Sequence, residues 1–220
     1  MRLIEKIRNK IRKNGVYTYY LLMKPLGSKM RLAATILVNA AFIVWNTVLS
    51  AVYRDPLLFA VSVYYLLLAF MRYTLLRAEK RRGKDNGQRA AFYVGILLLF
   101  ADVAMGGAIV YSLTEGAKRR YSPITALPQL LFSFFCLFTA LARIIHRSSA
   151  LSASELSGDA ITLAAAFFSV FNLVNYLSHL PSVFISVRAT VTLGVLAFFS
   201  VFATAVFLLV KNKSDGGGQR

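Results

Sequence analysis

One residue in this 220-residue chain stands out as a candidate for chemistry. Asp102 is the only acid inside any long apolar run, near the centre of Ala90 to Leu113. Placing a carboxylate at the middle of a bilayer costs about 2.5–3.5 kcal/mol on insertion scales, so the side chain is expected to face protein or a water-filled cavity. Two readings follow: a proton- or cation-coupling group or polar anchor for a substrate, or a protonated carboxyl that bonds a neighbouring helix as structural glue. Gly106 and Gly107 follow within about a turn and permit close backbone approach or a kink.

Other strong polar groups concentrate in the odd-numbered runs. Asn39 and Asn46 are seven residues apart and Asn172 and Asn175 three apart, so each pair shares a helix face. Counted from Arg89 and Asp159, Asp102 and Asn172 both lie 13 residues in, which predicts equal depth. Asp102, Asn46, Asn172 and Asn175 therefore form the candidate substrate or ion site, with Gln129 and Tyr64 or Tyr65 as contributors from the even runs. Taken singly, each amide reads as an interhelical hydrogen-bond partner, and the coincidence of depth is what raises the set above its members.

Arg72 and Arg143 fall within about a turn of the ends of their runs, where long basic side chains snorkel to lipid headgroups. Anchoring is the expected role, with binding of anionic headgroups as the alternative. His146 and His179 fall on opposite sides of the membrane in this reading and cannot share a metal. Cys136 is the lone cysteine, so no internal disulfide exists. The sequence lacks a Walker-type loop, a His-Glu-x-x-His motif, paired cysteines and a nucleophile elbow. Neither an enzyme nor a bound cofactor is expected, because catalysis needs several convergent groups and only Asp102 qualifies as a base.

The elements that must position these residues are membrane helices. Hydrophobic residues make up 57% of the chain, above the roughly 45–50% of a soluble domain. Six runs are long enough to cross about 30 Å of hydrocarbon: Leu32 to Val52, Leu57 to Leu76, Ala90 to Leu113, Ile124 to Ile145, Ala160 to Leu177 and Ala189 to Val210. None alternates in polarity as a barrel strand does, so an all-α bundle of six transmembrane helices is predicted. A net charge of +17 would suit nucleic acid, but the basic residues occupy the gaps between apolar runs, so no nucleic-acid partner is expected. Alternate connections and both termini carry 21 of the Lys and Arg residues and the remaining connections 5, which predicts both termini on the cytoplasmic side of the cell membrane.

Taken in pairs the runs form three hairpins with Pro56, Pro123 and Pro181 at or near their tips. The first two pairs share a Leu-x-x-Ala-x-x-Arg ending at Arg72 and at Arg143, a weak internal repeat. Residues 1–30 form a separate basic segment. Leu3, Ile4, Ile7 and Ile11 make an apolar stripe among six Lys and Arg residues, the pattern of a surface helix held by anionic lipid. The transmembrane domain is expected over 31–211 and a flexible tail over 212–220.

The run from Asp55 to Arg77, with Tyr64-Tyr65 and Arg72 and the basic loop after it, resembles a group of uncharacterised six-pass membrane proteins of anaerobic Gram-positive bacteria. That resemblance implies a bacterial setting and no activity. Size and helix number are also similar to the substrate-binding subunits of vitamin importers, but Val38 stands where their small-residue docking pattern would follow Ala34. Two functions are therefore carried forward. One is a small-solute transporter or transporter subunit, and the other a non-transporting scaffold or lipid-associated partner of another membrane subunit.

Overall fold

The computed structural model describes residues 28–80, 84–115, 123–145, 153–178 and 185–217. The basic segment expected at 1–30 lies almost wholly outside them. Six helices make up the described chain: α1 (Ser28–Tyr53), α2 (Pro56–Lys80), α3 (Lys84–Glu115), α4 (Pro123–Ile145), α5 (Ala153–Ser178) and α6 (Val187–Gly217). Each is long and apolar enough to cross a membrane. Large apolar side chains such as Leu37, Val103, Phe199 and Val210 are more than 60% exposed on the outer faces. Water would not tolerate such a belt, and lipid solvates it, so the architecture is that of a multi-pass membrane protein.

Helix α5 is the hub. Two thirds of its span is buried, against half or less for every other span. It packs on α2, α3, α4 and α6, while α1 packs on α2, α2 on α3, and α3 on α6. Its composition explains the position: Ala160, Ala164, Ala165, Ala166, Gly158 and Ser157 keep its buried surface thin enough for four neighbours to approach. The pairs α1–α2 and α5–α6 are packed neighbours, whereas α3 and α4, consecutive in sequence, are each packed on α5 with no comparable interface between them. With α5 central, α3 packed on three helices and α1 packed chiefly on α2, the odd helices occupy unlike environments. The weak sequence repeat is therefore not expressed as three equivalent hairpins.

The helices overrun the apolar windows. α3 begins at Lys84, α5 at Ala153 and α6 continues to Gly217, so much of the expected C-terminal tail is helical. A helix already nucleated adds one hydrogen bond per residue and stops at a breaker; for α6 that is the glycine run at Gly216 and Gly217.

The first connection is only two residues long. Arg54 takes a left-handed φ of 49°, reversing the chain after α1. Asp55 then caps α2, its Oδ1 accepting from Leu57 N at 2.8 Å, with Pro56 pre-set in φ at the first helical position. Ser50 Oγ donates to Asp55 O at 2.9 Å and Asp55 N to Ser50 O at 3.1 Å, closing the turn. Replacing Asp55 by Ala is expected to cost about 1 kcal/mol in denaturant unfolding in detergent micelles, with Asp55→Asn restoring most of it.

Candidate functional site

The polar side chains inside the bundle fall into three levels, and hydrogen bonds fix the register between helices. At the first level, Asn172 Nδ2 of α5 donates to Gln129 Oε1 of α4 at 2.9 Å. Gln129 Nε2 donates to Asn46 Oδ1 of α1 at 2.7 Å, and Asn46 Nδ2 donates to Phe42 O at 2.8 Å. All three amides are buried. Every donor in this chain points the same way and the last acceptor is a backbone carbonyl, an arrangement in which each bond polarises the next. Nearby, Ser112 Oγ of α3 donates to Asn175 Oδ1, and Thr125 and Tyr176 share a hydroxyl–hydroxyl contact between α4 and α5. Three of the four residues expected in a site thus lie close in depth, with Gln129 joining Asn46 to Asn172 and Asn175 bonded to Ser112 one turn further on.

Asp102 is not at that level. α3 and α5 run in the same direction, and the Ser112–Asn175 bond sets their register. Equal steps back along both helices place Asp102 beside Ala165, seven residues from Asn172, or about 10 Å at 1.5 Å per residue. Gly194 of α6 supports this register, since a Cβ there would fall 2.8 Å from Phe171 Cε2 and 3.0 Å from Ile109 Cγ1. The expectation of equal depth took α3 and α5 to begin level, but although their first residues, Lys84 and Ala153, lie similarly far before Asp102 and Asn172, the Ser112–Asn175 bond shows the two helices shifted along each other. A stretch bearing Glu155 and Asp159 reads as a loop by hydropathy, yet it is helix with Leu156, Ser157 and Gly158 buried.

An aromatic layer stands between the two levels. Phe42 stacks on Phe132 at a centroid separation of 3.7 Å, and Tyr64 on Phe168 at 3.8 Å. Tyr65 meets both Phe42 and Phe132 edge-on at 5.0 and 4.9 Å. Tyr64 donates to Ala164 O at 3.3 Å and lies within electrostatic range of Asp102.

Beyond the rings, Asp102 is 1% exposed while the adjacent Val103 is 72% exposed, so the carboxyl points into the bundle and not into lipid. Neither carboxyl oxygen finds a hydrogen-bond partner among the described residues. Asn39 Nδ2 likewise finds no hydrogen-bond partner among the described residues. Stepping back seven residues from Asn46 places Asn39 at the level of Asp102. Buried polar groups without partners are rare, and an orphaned carboxyl is the costliest of them. Structural glue would have a partner, and among the described residues this carboxyl has none.

The third level is charged. Arg143 Nη1 of α4 donates to Asp159 Oδ1 of α5 at 2.9 Å, with both side chains 27% exposed. Arg72 of α2 lies within electrostatic range of Arg143 and is only 5% exposed. It shares the buried face of Leu68, Met71 and Leu75, so it is enclosed by helices instead of snorkelling to the headgroups as its sequence position suggested. Gly158 makes room here, for a Cβ would fall 3.2 Å from Arg143 Nη1.

Comparison of the chain with protein-family models, with curated proteins and with solved structures finds no match. The site therefore has to be read from its own geometry. Among the described residues no group of three or more His, Cys, Asp or Glu side chains is placed to hold a metal ion.

Sequence reasoning placed Gln129 at the edge of the site, whereas it is the residue that joins Asn46 to Asn172. The signal was available in its position one turn after Pro123–Ala126 on the buried face with Phe132 and Ser133. Gln129→Leu strands Asn46 Oδ1 and Asn172 Nδ2 and is expected to destabilise the bundle by about 1–2 kcal/mol. The triple variant Asn46→Leu, Gln129→Leu, Asn172→Leu leaves no orphan and should recover part of that loss, read by unfolding in mixed micelles.

Proposed function

We propose that this protein is a small-solute transporter or transporter subunit in which Asp102 accepts the coupling proton or cation at the middle of the membrane. The supporting observation is that its carboxyl is sealed from lipid and lacks any partner among the described residues, at the centre of a span. A bilayer-spanning bundle retains such a group where an exchangeable ligand completes it. The amide level built on Asn46, Asn172 and Asn175 supplies donors and acceptors one layer away, across the rings of Tyr65 and Phe132. A path between the two levels opens when those rings change rotamer. The basic excess in alternate connections orients both termini toward the cytoplasm in this reading.

A second reading is favoured by a different observation: the amides of Asn46, Gln129 and Asn172 are bonded to one another, as in a structural clamp. On that reading the protein is a scaffold or lipid-associated partner whose action resides in the basic segment 1–30. Deleting residues 1–13 separates the two, because a transporter keeps solute binding and a surface-acting factor loses its activity.

The main test is a thermal-stabilisation screen of small solutes on the purified protein, followed by uptake of each hit into proteoliposomes under an imposed pH gradient. The native protein is expected to show gradient-dependent uptake, and Asp102→Asn to reduce it at least about tenfold while its unfolding temperature stays close to native. Native-like uptake by the Asn variant would remove Asp102 from the mechanism.

A further inference from the structure

A cleft of about 330 Å³ lies on the side of the bundle between α4 and α6, with α5 as its floor. Leu156, Ala160 and Leu163 line the floor, Ala140 and Ile144 one wall, and Ala203 and Phe207 are on the other. The cleft follows α5 from Leu156 to Leu163, about 10 Å of helix. Ile144 is 58% and Phe207 53% exposed on the belt of apolar side chains, so the cleft opens sideways into hydrocarbon. The polar groups in it are Arg143 and Asp159, together with Thr204.

An ion pair in an apolar groove open to lipid is an expensive arrangement unless a further ligand shares its hydrogen bonds. Arg143 has five N–H donors, and the bond to Asp159 uses Nη1. Arg72, within electrostatic range behind it, makes the charge of the three groups Arg72, Arg143 and Asp159 net positive. A site with surplus cationic donors above an apolar trough fits an amphiphile with an anionic head. A guanidinium matches a phosphate in geometry as well as charge.

We infer that this cleft is a lateral binding site for one anionic phospholipid, its phosphate held by Arg143 and an acyl chain lying along Ala160, Leu163 and Phe207. The site is independent of Asp102, which lies at the level of Ala165, on the far side of the floor helix's lining residues. Asp159 orients the guanidinium and limits affinity by its own charge. Arg72 acts at a distance through its field.

The test uses full-length protein in detergent micelles titrated with phosphatidylglycerol or with phosphatidylcholine of the same chains. Retained lipid is counted by native mass spectrometry and unfolding temperature is followed alongside. Phosphatidylglycerol is expected to leave one tightly retained molecule and to stabilise the protein more than phosphatidylcholine does. Arg143→Gln alone strands Asp159, so the informative variant is Arg143→Gln with Asp159→Asn, which removes both charges. Its affinity for that lipid should fall about tenfold. Ala203→Trp, which fills the cleft without touching charge, should lose the same molecule, whereas Asp159→Asn alone should hold it more tightly. Equal retention of both lipids, survival of the tight molecule in the double variant, or full stabilisation by soluble glycerol phosphate would each overturn the inference.

Discussion

The hydrogen bonds from Asn172 to Gln129 and from Gln129 to Asn46 are the constraint on which the arrangement of this bundle depends. Lipid offers helices no hydrophobic reason to associate, because hydrocarbon chains are as apolar as leucine. Specificity then has to come from close packing and from the few polar groups that need one another. Sliding any of α1, α4 or α5 by a single turn would leave an amide unsatisfied in a medium without water. The small-residue surface of α5 supplies close approach, and the amides determine where that approach stops.

Once that register is set, the remaining polar residues have no freedom of depth. Ser112 meets Asn175, Ser133 donates to Ser169 O at 2.8 Å, and Arg143 reaches Asp159, all consistent with one alignment of α3 and α4 on α5. Asp102 is thereby carried to the level of Ala165 and Asn39, where neither carboxyl oxygen finds a partner among the described residues. Its lack of partners among the described residues is a consequence of the packing that satisfies the amides of Asn46, Gln129 and Asn172. Selection for stability alone would replace such a carboxyl with an apolar residue of similar volume.

The six spans were legible in the sequence because hydropathy over about 20 residues reports the one property that a bilayer demands. Asp102 stands out in the sequence for the same reason: a charge in such a run is conspicuous. Depth was not. It depends on how far one helix is shifted along another, which the Ser112–Asn175 bond fixes and no count from the helix starts reports. The enclosure of Arg72 was also hidden. Its distance from the helix end can be counted, but which way it faces is decided by the helices that pack around Leu68 and Leu75. Which helix would be central could not be read from apolarity, since α5 is distinguished by thinness and not by hydropathy.

The two-residue turn at Arg54 and Asp55 has a mechanical consequence. With the chain reversed in so few bonds and both sides stapled through Ser50, α1 and α2 have no slack between them. They form a rigid handle, joined to the hub on one edge by Asn46 through Gln129 and on the other by Tyr64 at Ala164. Any rocking of this molecule must carry that handle whole, and the pivots are those two attachments, one at the amide level and one at Ala164, next to the residue level with the carboxyl.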